Sequence, residues 1–296
     1  MVDDEVTASI RRMVFGARIE FGDVPDTITA PAIDLPHLKA TGSEALLRVA
    51  GVGRFHVRNG RRVTVDPMAG TAASALSTWL DGTVASLVLV QQRRFALHAS
   101  TVRVDRQLVA VTGPRGAGKS TSVCLLAARG HPVVTDDLTA LDPDSGGDSV
   151  TVDPSGRRLR LWPSTASRLG YDILAGEPVA PGNDKRSYAI GESRGPHRLG
   201  LVVALRPSPH VAEPVLRRLH GTAAIEALAA DTYRPLLRTL QPEAHLRWMA
   251  TVAAATTVVR LDRPTAGWSG EKVAMAVERA VRQYAVQPPV VEPVGR

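Results

Sequence analysis

A chain of 296 residues can bury a full core in one or two domains, and 44% hydrophobic with 22% charged residues is the balance of a folded globular protein. An excess of 36 Lys and Arg over 29 Asp and Glu gives a formal charge of +7 and a sequence pI near 10.1, which favours an anionic partner. The basic residues are mostly scattered arginines with little aromatic interleaving, so nucleic acid is not the expected one.

Residues 5–65 read as short strands: Val14–Glu20, Ala45–Val49, Arg54–Val57 and Arg62–Val65. Asn59-Gly60 marks a hairpin between the last two, and Asp23–Pro36, rich in Pro, Thr and Asp, reads as loop. Apolar residues at helical spacing over Gly70–Gln91 (Ala73, Leu76, Trp79, Leu80, Val84, Leu87) predict one or two helices, with Gly82 as a potential break. Arg94–Val104 and Gln107–Thr112 predict an antiparallel hairpin turning at Asp105-Arg106, followed by a helix from about Lys119 to Arg129 that Gly130 stops. Val133–Thr135 is a short strand ending in Asp136-Asp137.

Further along, Asp142–Asp153 reads as a turn between strands and Arg158–Trp162 as a strand. Ser164–Gly170 reads as a helix capped by Ser164, and Ala175–Ser187 as a Gly/Pro-rich segment. A buried strand at Leu199–Leu205 precedes helices at Thr222–Ala230, Arg234–Leu240 and Glu243–Ala255. A strand at Thr257–Leu261 and an amphipathic helix over Gly270–Tyr284 complete the pattern before a Pro-rich tail. Alternating strands and helices after residue 94 predict an α/β layer fold. The division read from this is a β-rich region with a helix at 1–92, with a substrate or assembly role, a core at 93–286 and a mobile tail at 287–296.

The stretch LVAVTGPRGAGKST at Leu108–Thr121 carries the strongest chemical signal. Gly113, Pro114, Arg115, Gly116, Ala117, Gly118, Lys119 and Ser120 form a complete G-x-x-x-x-G-K-[ST] loop after a strand and before a helix, with Thr121 next. Glycines let backbone N–H groups approach a polyphosphate closely, and a helix starting near Lys119 points its positive end at the same anion. Lys119 can reach the outer phosphates, and the Ser120 hydroxyl can ligate the Mg²⁺ that accompanies a nucleotide. Asp136 and Asp137 end the next strand, where one carboxylate can orient the metal and the other can take a proton from an attacking hydroxyl. Adjacent strand residues face opposite ways, so the two acids are expected to do different jobs. His98 is placed on the strand beside the loop strand. Lys185 and Arg186 are a pair able to clamp a phosphate or an acidic substrate. No N-K-x-D or LSGGQ-like motif is present, which argues against a GTP switch and a transporter ATPase, and the absence of H-R-D and D-F-G excludes the eukaryotic protein-kinase fold.

Cys124 is the only cysteine, so no internal disulfide forms and a reducing cytoplasm is expected. MVDDEVTASIRR lacks the apolar core of a signal peptide, and no apolar run is read as approaching the ~20 residues of a membrane span.

LHAS at Leu97–Ser100, GPRGAGKST at Gly113–Thr121 and ARGHPVVTDD at Ala128–Asp137 together resemble the catalytic core of bacterial HPr kinase/phosphorylase. The resemblance implies the P-loop fold shared with phosphoenolpyruvate carboxykinase, in a homo-oligomer using ATP and Mg²⁺. It implies that Lys119 neutralises phosphates and that Ser120 and Asp136 serve the metal. Asp137 would take the acceptor's proton and His98 would assist at the transferred group. The chain departs from that family at RLRLWPSTASRLG (residues 158–170), which replaces a glycine-rich segment with a metal-binding Glu. LRLWP at Leu159–Pro163, DKRSY at Asp184–Tyr188 and TYRPL at Thr232–Leu236 resemble HPr-kinase-related enzymes of ribosomally made peptide pathways. That likeness implies a kinase acting on Ser/Thr of a peptide or small protein, with Lys185, Arg186, Tyr233 and Arg234 as contacts. A kinase of a small hydroxyl metabolite and a non-catalytic ATP-binding regulatory protein stay open beside it.

Overall fold

Alternating apolar residues make residues 13–67 a sheet with one buried face. The structure, a computed structural model, describes residue 10 and residues 13–143, 146–153, 158–170, 172, 174–180, 183–189 and 197–284. The expected mobile tail at 287–296 lies outside the described residues. The strands are β1 (Met13–Val14), β2 (Ala17–Phe21), β3 (Ile33–Leu35), β4 (Leu38–Ala40), β5 (Glu44–Val49), β6 (Gly53–Arg58) and β7 (Arg62–Pro67). They lie in the order β1-β2-β7-β6-β5-β4-β3. The β6–β7 turn places Asn59 at φ 52° and Gly60 at φ 61°, as the sequence predicts. Two expectations fail in this region. The strand predicted at Val14–Glu20 is a hairpin broken at Phe15-Gly16, both at positive φ. The loop predicted at Asp23–Pro36 contains β3, which pairs with β4 through Ile33↔Ala40; three-residue strands are too short to show a period.

Helix α1 (Ala73–Gln91) follows, and Gly82 does not break it. A π turn over Leu80–Val84 absorbs the irregularity and the helix continues. At 19 residues and a mean hydropathy of 1.4, α1 is long and apolar enough to span a bilayer, against the expectation that no run would be. Its scattered Ser, Thr and Asp residues hide that length from a scan for uninterrupted apolar runs. Within the molecule 61% of its apolar stretch is buried, with Leu76, Leu80, Val84 and Val88 packed on Phe55, Val57 and Val65 in the main core. That core runs on into Phe95, Leu141, Val150 and Trp248, so packing is continuous across residue 92.

Among the described residues the second sheet has nine strands and a seam. Its strands are β8 (Phe95–Leu97), β9 (Ala99–Val104), β10 (Gln107–Thr112), β11 (Val133–Thr135), β12 (Thr139–Pro143), β13 (Val150–Val152), β17 (His197–Ser208), β18 (Val215–Leu219) and β19 (Thr257–Pro264). On one side of the seam, β11, β9, β10, β17 and β19 are neighbours in that order, with β10 parallel to β17 and β17 parallel to β19. On the other, β17 continues into β13, β12 and β8. The hairpin strand predicted at Arg94–Val104 is therefore two strands: β8 pairs with β12, β9 pairs with β10 and β11, and His98 sits at the break. The chain crosses the seam again between β11 and β12, at Asp136-Asp137-Leu138.

Helices α2 (Lys119–Ala128) and α6 (Gly270–Tyr284) cover one face of this sheet. Val273, Ala274, Val277, Ala280 and Val281 of α6 recur at helical spacing. They pack with Val123 and Leu126 of α2 on Val109, Val111, Leu201, Val203, Leu205 and Val259 of the sheet. Strand β10 is apolar on both faces, as expected of a central strand, with Leu108 and Ala110 in the other core. A small third sheet orders β14 (Arg158–Leu161), β16 (Asn183–Ala189) and β15 (Glu177–Ala180), so the segment predicted as Gly/Pro-rich connection forms a hairpin. Helix α3 (Pro163–Arg168) starts with Pro163 in its first turn and Trp162 at the cap position, not Ser164. Helices α4 (Gly221–Ala230) and α5 (Pro242–Ala255) flank a 3₁₀ turn over Pro235–Leu240.

Candidate functional site

The seam explains why residues far apart in sequence meet. Register pairs Leu97 with Thr139 on one side and Thr101 with Thr135 on the other, which brings His98 and the Asp136-Asp137 pair alongside each other. Buried hydroxyls stitch this junction: Thr101 and Thr135 lie 2.8 Å apart, Thr135 and Thr139 2.7 Å, and Thr139 Oγ1 donates to the Ala99 carbonyl at 2.9 Å. Such buried groups stay because each finds a partner.

The glycine-rich loop leaves β10 at the same end of the sheet. Gly113, at φ 145°, cannot carry a side chain, since a Cβ would stand 2.6 Å from the Leu205 carbonyl. Gly118, at φ 101°, occupies the left-handed N-cap of α2. Lys119 is buried and donates to the Gly113 and Pro114 carbonyls at 2.8 and 3.2 Å. Burial holds its ammonium below the usual lysine pKa, against the charges of Asp136, Asp137 and Asp231. From behind, Arg263 donates Nε to the Ala117 carbonyl at 2.6 Å and Nη2 to that of Gly116 at 3.2 Å, fixing the loop's curvature.

The two acids face different partners, as adjacent positions should. Asp136 is buried; its Oδ1 accepts from Ser100 Oγ and, at 3.0 Å, from Ser120 Oγ, and its Oδ2 accepts the Arg160 N–H at 2.8 Å. Burial raises its pKa against those hydrogen bonds. Asp137 leaves the strand at φ 72°, which swings its carboxylate to a second set of partners. Its Oδ2 accepts from Arg160 Nη1 at 2.8 Å and from the Tyr233 hydroxyl at 3.3 Å, and His98 Nε2 lies 3.3 Å from Oδ1. Burial pushes this carboxyl upward, but the His98 hydrogen bond and the Arg160 charge outweigh it and hold it well below the usual carboxylate range.

A cavity of about 940 Å³ opens over these groups. Gly113, Pro114, Arg115, Gly116, Gly118, Lys119, Ser120 and Thr121 line it, together with His98, Asp136 and Asp137. Lys185 also lines it, 5.6 Å over the Trp162 ring, whereas Arg186 turns its guanidinium to the Gly176 carbonyl at 3.3 Å. Neighbouring residues of β16 point to opposite faces, so the predicted Lys-Arg clamp is a single lysine. Ala117 is buried in the core beneath the loop and offers the site no side chain.

Sequence reading assigned no role to three other groups of this wall. Arg160 contacts both acids, one through its backbone and one through its guanidinium. Arg206 donates both Nη atoms to Asp231 Oδ2 at 3.0 Å, and the Asp231 carbonyl accepts the His98 N–H at 2.8 Å. Alternation in RLRL shows that Arg160 opposes the buried Leu159 and Leu161, but no period tells which way the strand faces. Among the described residues no group of three His, Cys, Asp or Glu gathers as a metal site of protein ligands alone.

These features define an α/β protein whose glycine-rich loop, buried lysine and paired carboxylates converge on one cleft. No family model matches the chain, and no curated protein matches it. Among solved structures it is similar to the Hpr(Ser) kinase/phosphatase from Coxiella burnetii, at 17% identity and a TM-score of 0.34, over 64% of this chain and 88% of that one. So distant a likeness decides neither fold nor chemistry, which rest on the residues of this chain.

Proposed function

We propose that the chain is a P-loop kinase that transfers the γ-phosphoryl group of ATP to a hydroxyl, with Ser/Thr of a peptide or small protein as acceptor. The observation that carries the reading is the separation of the two acids: Asp136 shares the Ser120 hydroxyl, while Asp137 is held in the same cleft by His98, Arg160 and Tyr233. The residues fit the groups this chemistry requires. Gly116 has open space where a Cβ would stand, and Ser120 Oγ and Asp136 Oδ1, 3.0 Å apart, are the hard oxygen donors that Mg²⁺ takes alongside water and phosphate. When bound, the metal neutralises charge on the phosphates; the nucleotide supplies the group to be transferred.

The chain's own residues do the rest. Loop amides and Lys119, which exchanges its two carbonyls for phosphate, hold the donor. Asp137, kept ionised by its neighbours, accepts a hydrogen bond from the incoming hydroxyl and orients it. The acceptor oxygen forms a bond to phosphorus as the bond from phosphorus to the bridging oxygen breaks. The electron pair leaves on the diphosphate, and the acceptor's proton passes to Asp137. A carboxylate of low basicity suffices, because in a loose transition state the hydroxyl gives up its proton late. Six cations, Arg115, Lys119, Arg160, Lys185, Arg206 and Arg234, line the cleft against Asp136, Asp137 and Asp231, an excess suited to a polyanionic donor. A cytoplasmic homo-oligomer completes the reading; the single cysteine is buried and needs no oxidising compartment.

The test incubates the chain with γ-labelled ATP, Mg²⁺ and parallel panels of Ser/Thr peptides and small hydroxyl metabolites. Label should enter a peptide and should vanish in Lys119→Ala. Label entering only metabolites would reassign the acceptor, and full labelling by Lys119→Ala would contradict the loop's role.

A further inference from the structure

Helix α1 belongs to the region that the loop chemistry leaves unexplained, yet it reaches the cleft. Its π turn, Leu80–Val84, contributes Gly82 and Thr83 to the lining, with Trp79 just before it. Three observations converge on this turn. A Cβ at Gly82 would stand 3.2 Å from the Tyr233 hydroxyl, and that hydroxyl is the one donating to Asp137 at 3.3 Å. The turn is therefore one contact removed from Asp137, whereas the partners of the glycine-rich loop are Asp136, through Ser120, and Arg263. Second, Thr83 is 7% exposed and its Oγ1 has no hydrogen-bond partner among the described residues. A helical threonine normally satisfies its hydroxyl on the carbonyl three or four residues back, and a buried hydroxyl left unpaired costs about 1–3 kcal/mol. Third, a π turn is itself a costly irregularity in a long helix and tends to mark a functional position. Here the unpaired hydroxyl and the missing side chain are neighbours within the five-residue irregular turn.

Resting on the kinase reading, we infer that Gly82 and Thr83 form the acceptor wall of the cleft. Gly82 leaves the room through which a hydroxyl compound reaches Asp137, and the Thr83 hydroxyl pairs with a polar group of that compound. The half-buried Trp79 supplies an apolar flank, so the class of acceptor is a hydroxyl on a short stem with a hydrogen-bonding group close by and apolar surface beyond. On this view the region before residue 93 selects what is phosphorylated, and the core after it supplies the donor site.

The experiment needs no knowledge of the natural acceptor, because water can take its place. Binding of Mg·AMP-PNP and the slow turnover of Mg·ATP with water are measured for the wild-type chain, Gly82→Ala and Thr83→Val, with melting temperatures alongside. All three should bind the analogue within about twofold and stay cooperatively folded, with Thr83→Val melting no lower than the wild type because it removes a buried unpaired hydroxyl. Turnover should fall about tenfold in Gly82→Ala, equivalent to ~1.4 kcal/mol in the barrier, as a methyl closes the approach to Asp137. In Thr83→Val, which keeps shape and removes the hydroxyl, turnover should fall by a smaller factor. A tenfold loss of analogue affinity in either variant would put the turn against the nucleotide and overturn the inference. Wild-type turnover in both variants would overturn it equally, and leave the kinase reading standing. A wild-type chain that binds the analogue but turns over no ATP contradicts the kinase reading itself, and the acceptor wall with it.

Discussion

Asp137 shows how much a single backbone angle can do. At φ 72° it sits where few non-glycine residues go, and the turn sends its carboxylate away from Asp136 and toward Arg160, His98 and Tyr233. The sequence shows two adjacent acids at a strand end and so predicts different jobs for them, but not which partners each would find. Arg160 is the residue that couples them, and pattern could not reveal it. Replacing it with Met should leave the partly exposed Asp137 carboxylate without its guanidinium partner. The expected cost is about 1–3 kcal/mol, read as a fall in denaturant midpoint; an unchanged midpoint would show that the pair carries no stability. The sign of the pH effect follows from Asp137's depressed pKa. Its contribution is complete above the ordinary carboxylate pKa of about 3.9 and is lost as pH falls through the folded value. Turnover near neutrality should therefore show no acid limb from this group.

Among the elements, those with long uninterrupted periods were legible: α6 spans Gly270–Tyr284 as predicted, and α2, β10 and β19 fall close to expectation. What escaped were pieces defined by their neighbours, such as β3, the β15–β16 hairpin, and the break at His98 that splits one predicted strand between two halves of a sheet. The glycine-rich loop was legible as a motif, but its brace was not, since Arg263 lies 146 residues downstream of Ala117. Arg263→Met should loosen the loop and weaken Mg·ATP binding about tenfold, ~1.4 kcal/mol, with the melting temperature little changed; wild-type affinity would contradict the brace. Helix α5 offers a pH prediction. His245 packs between Phe95 and Trp248 and pairs with Thr232 at 3.0 Å, next to the Tyr233 that touches Asp137. Burial, with Arg238 adding to it, pushes its pKa down to about 4. Between that value and the ordinary histidine pKa of ~6.5 the unfolded chain binds a proton that the folded chain refuses, so stability should fall as pH drops through this window. His245→Gln should flatten that slope; a slope unaltered in the variant would assign it elsewhere.

At the scale of the molecule, the α/β alternation after residue 94 was readable, whereas the continuity of the core was not. Leu87, Val88 and Leu89 of α1 pack in one cluster with Phe95, Leu138, Val150 and Trp248. Residues 93–286 expressed alone should therefore expose that apolar surface and fail to unfold cooperatively in urea; a sharp, wild-type-like transition would show two independent halves. This shared core also lets the first region place its π turn against Tyr233 while the second holds the glycine-rich loop.

The most direct measurement is the single-turnover rate of γ-phosphoryl transfer by the wild-type chain and by Asp137→Asn, with Mg·AMP-PNP affinity determined in parallel. The account predicts equal affinity and a rate lowered by ~10²–10⁴ in the variant, the usual contribution of a positioned general base. Equal rates in the two proteins, or nucleotide binding without any transfer by the wild type, would contradict it.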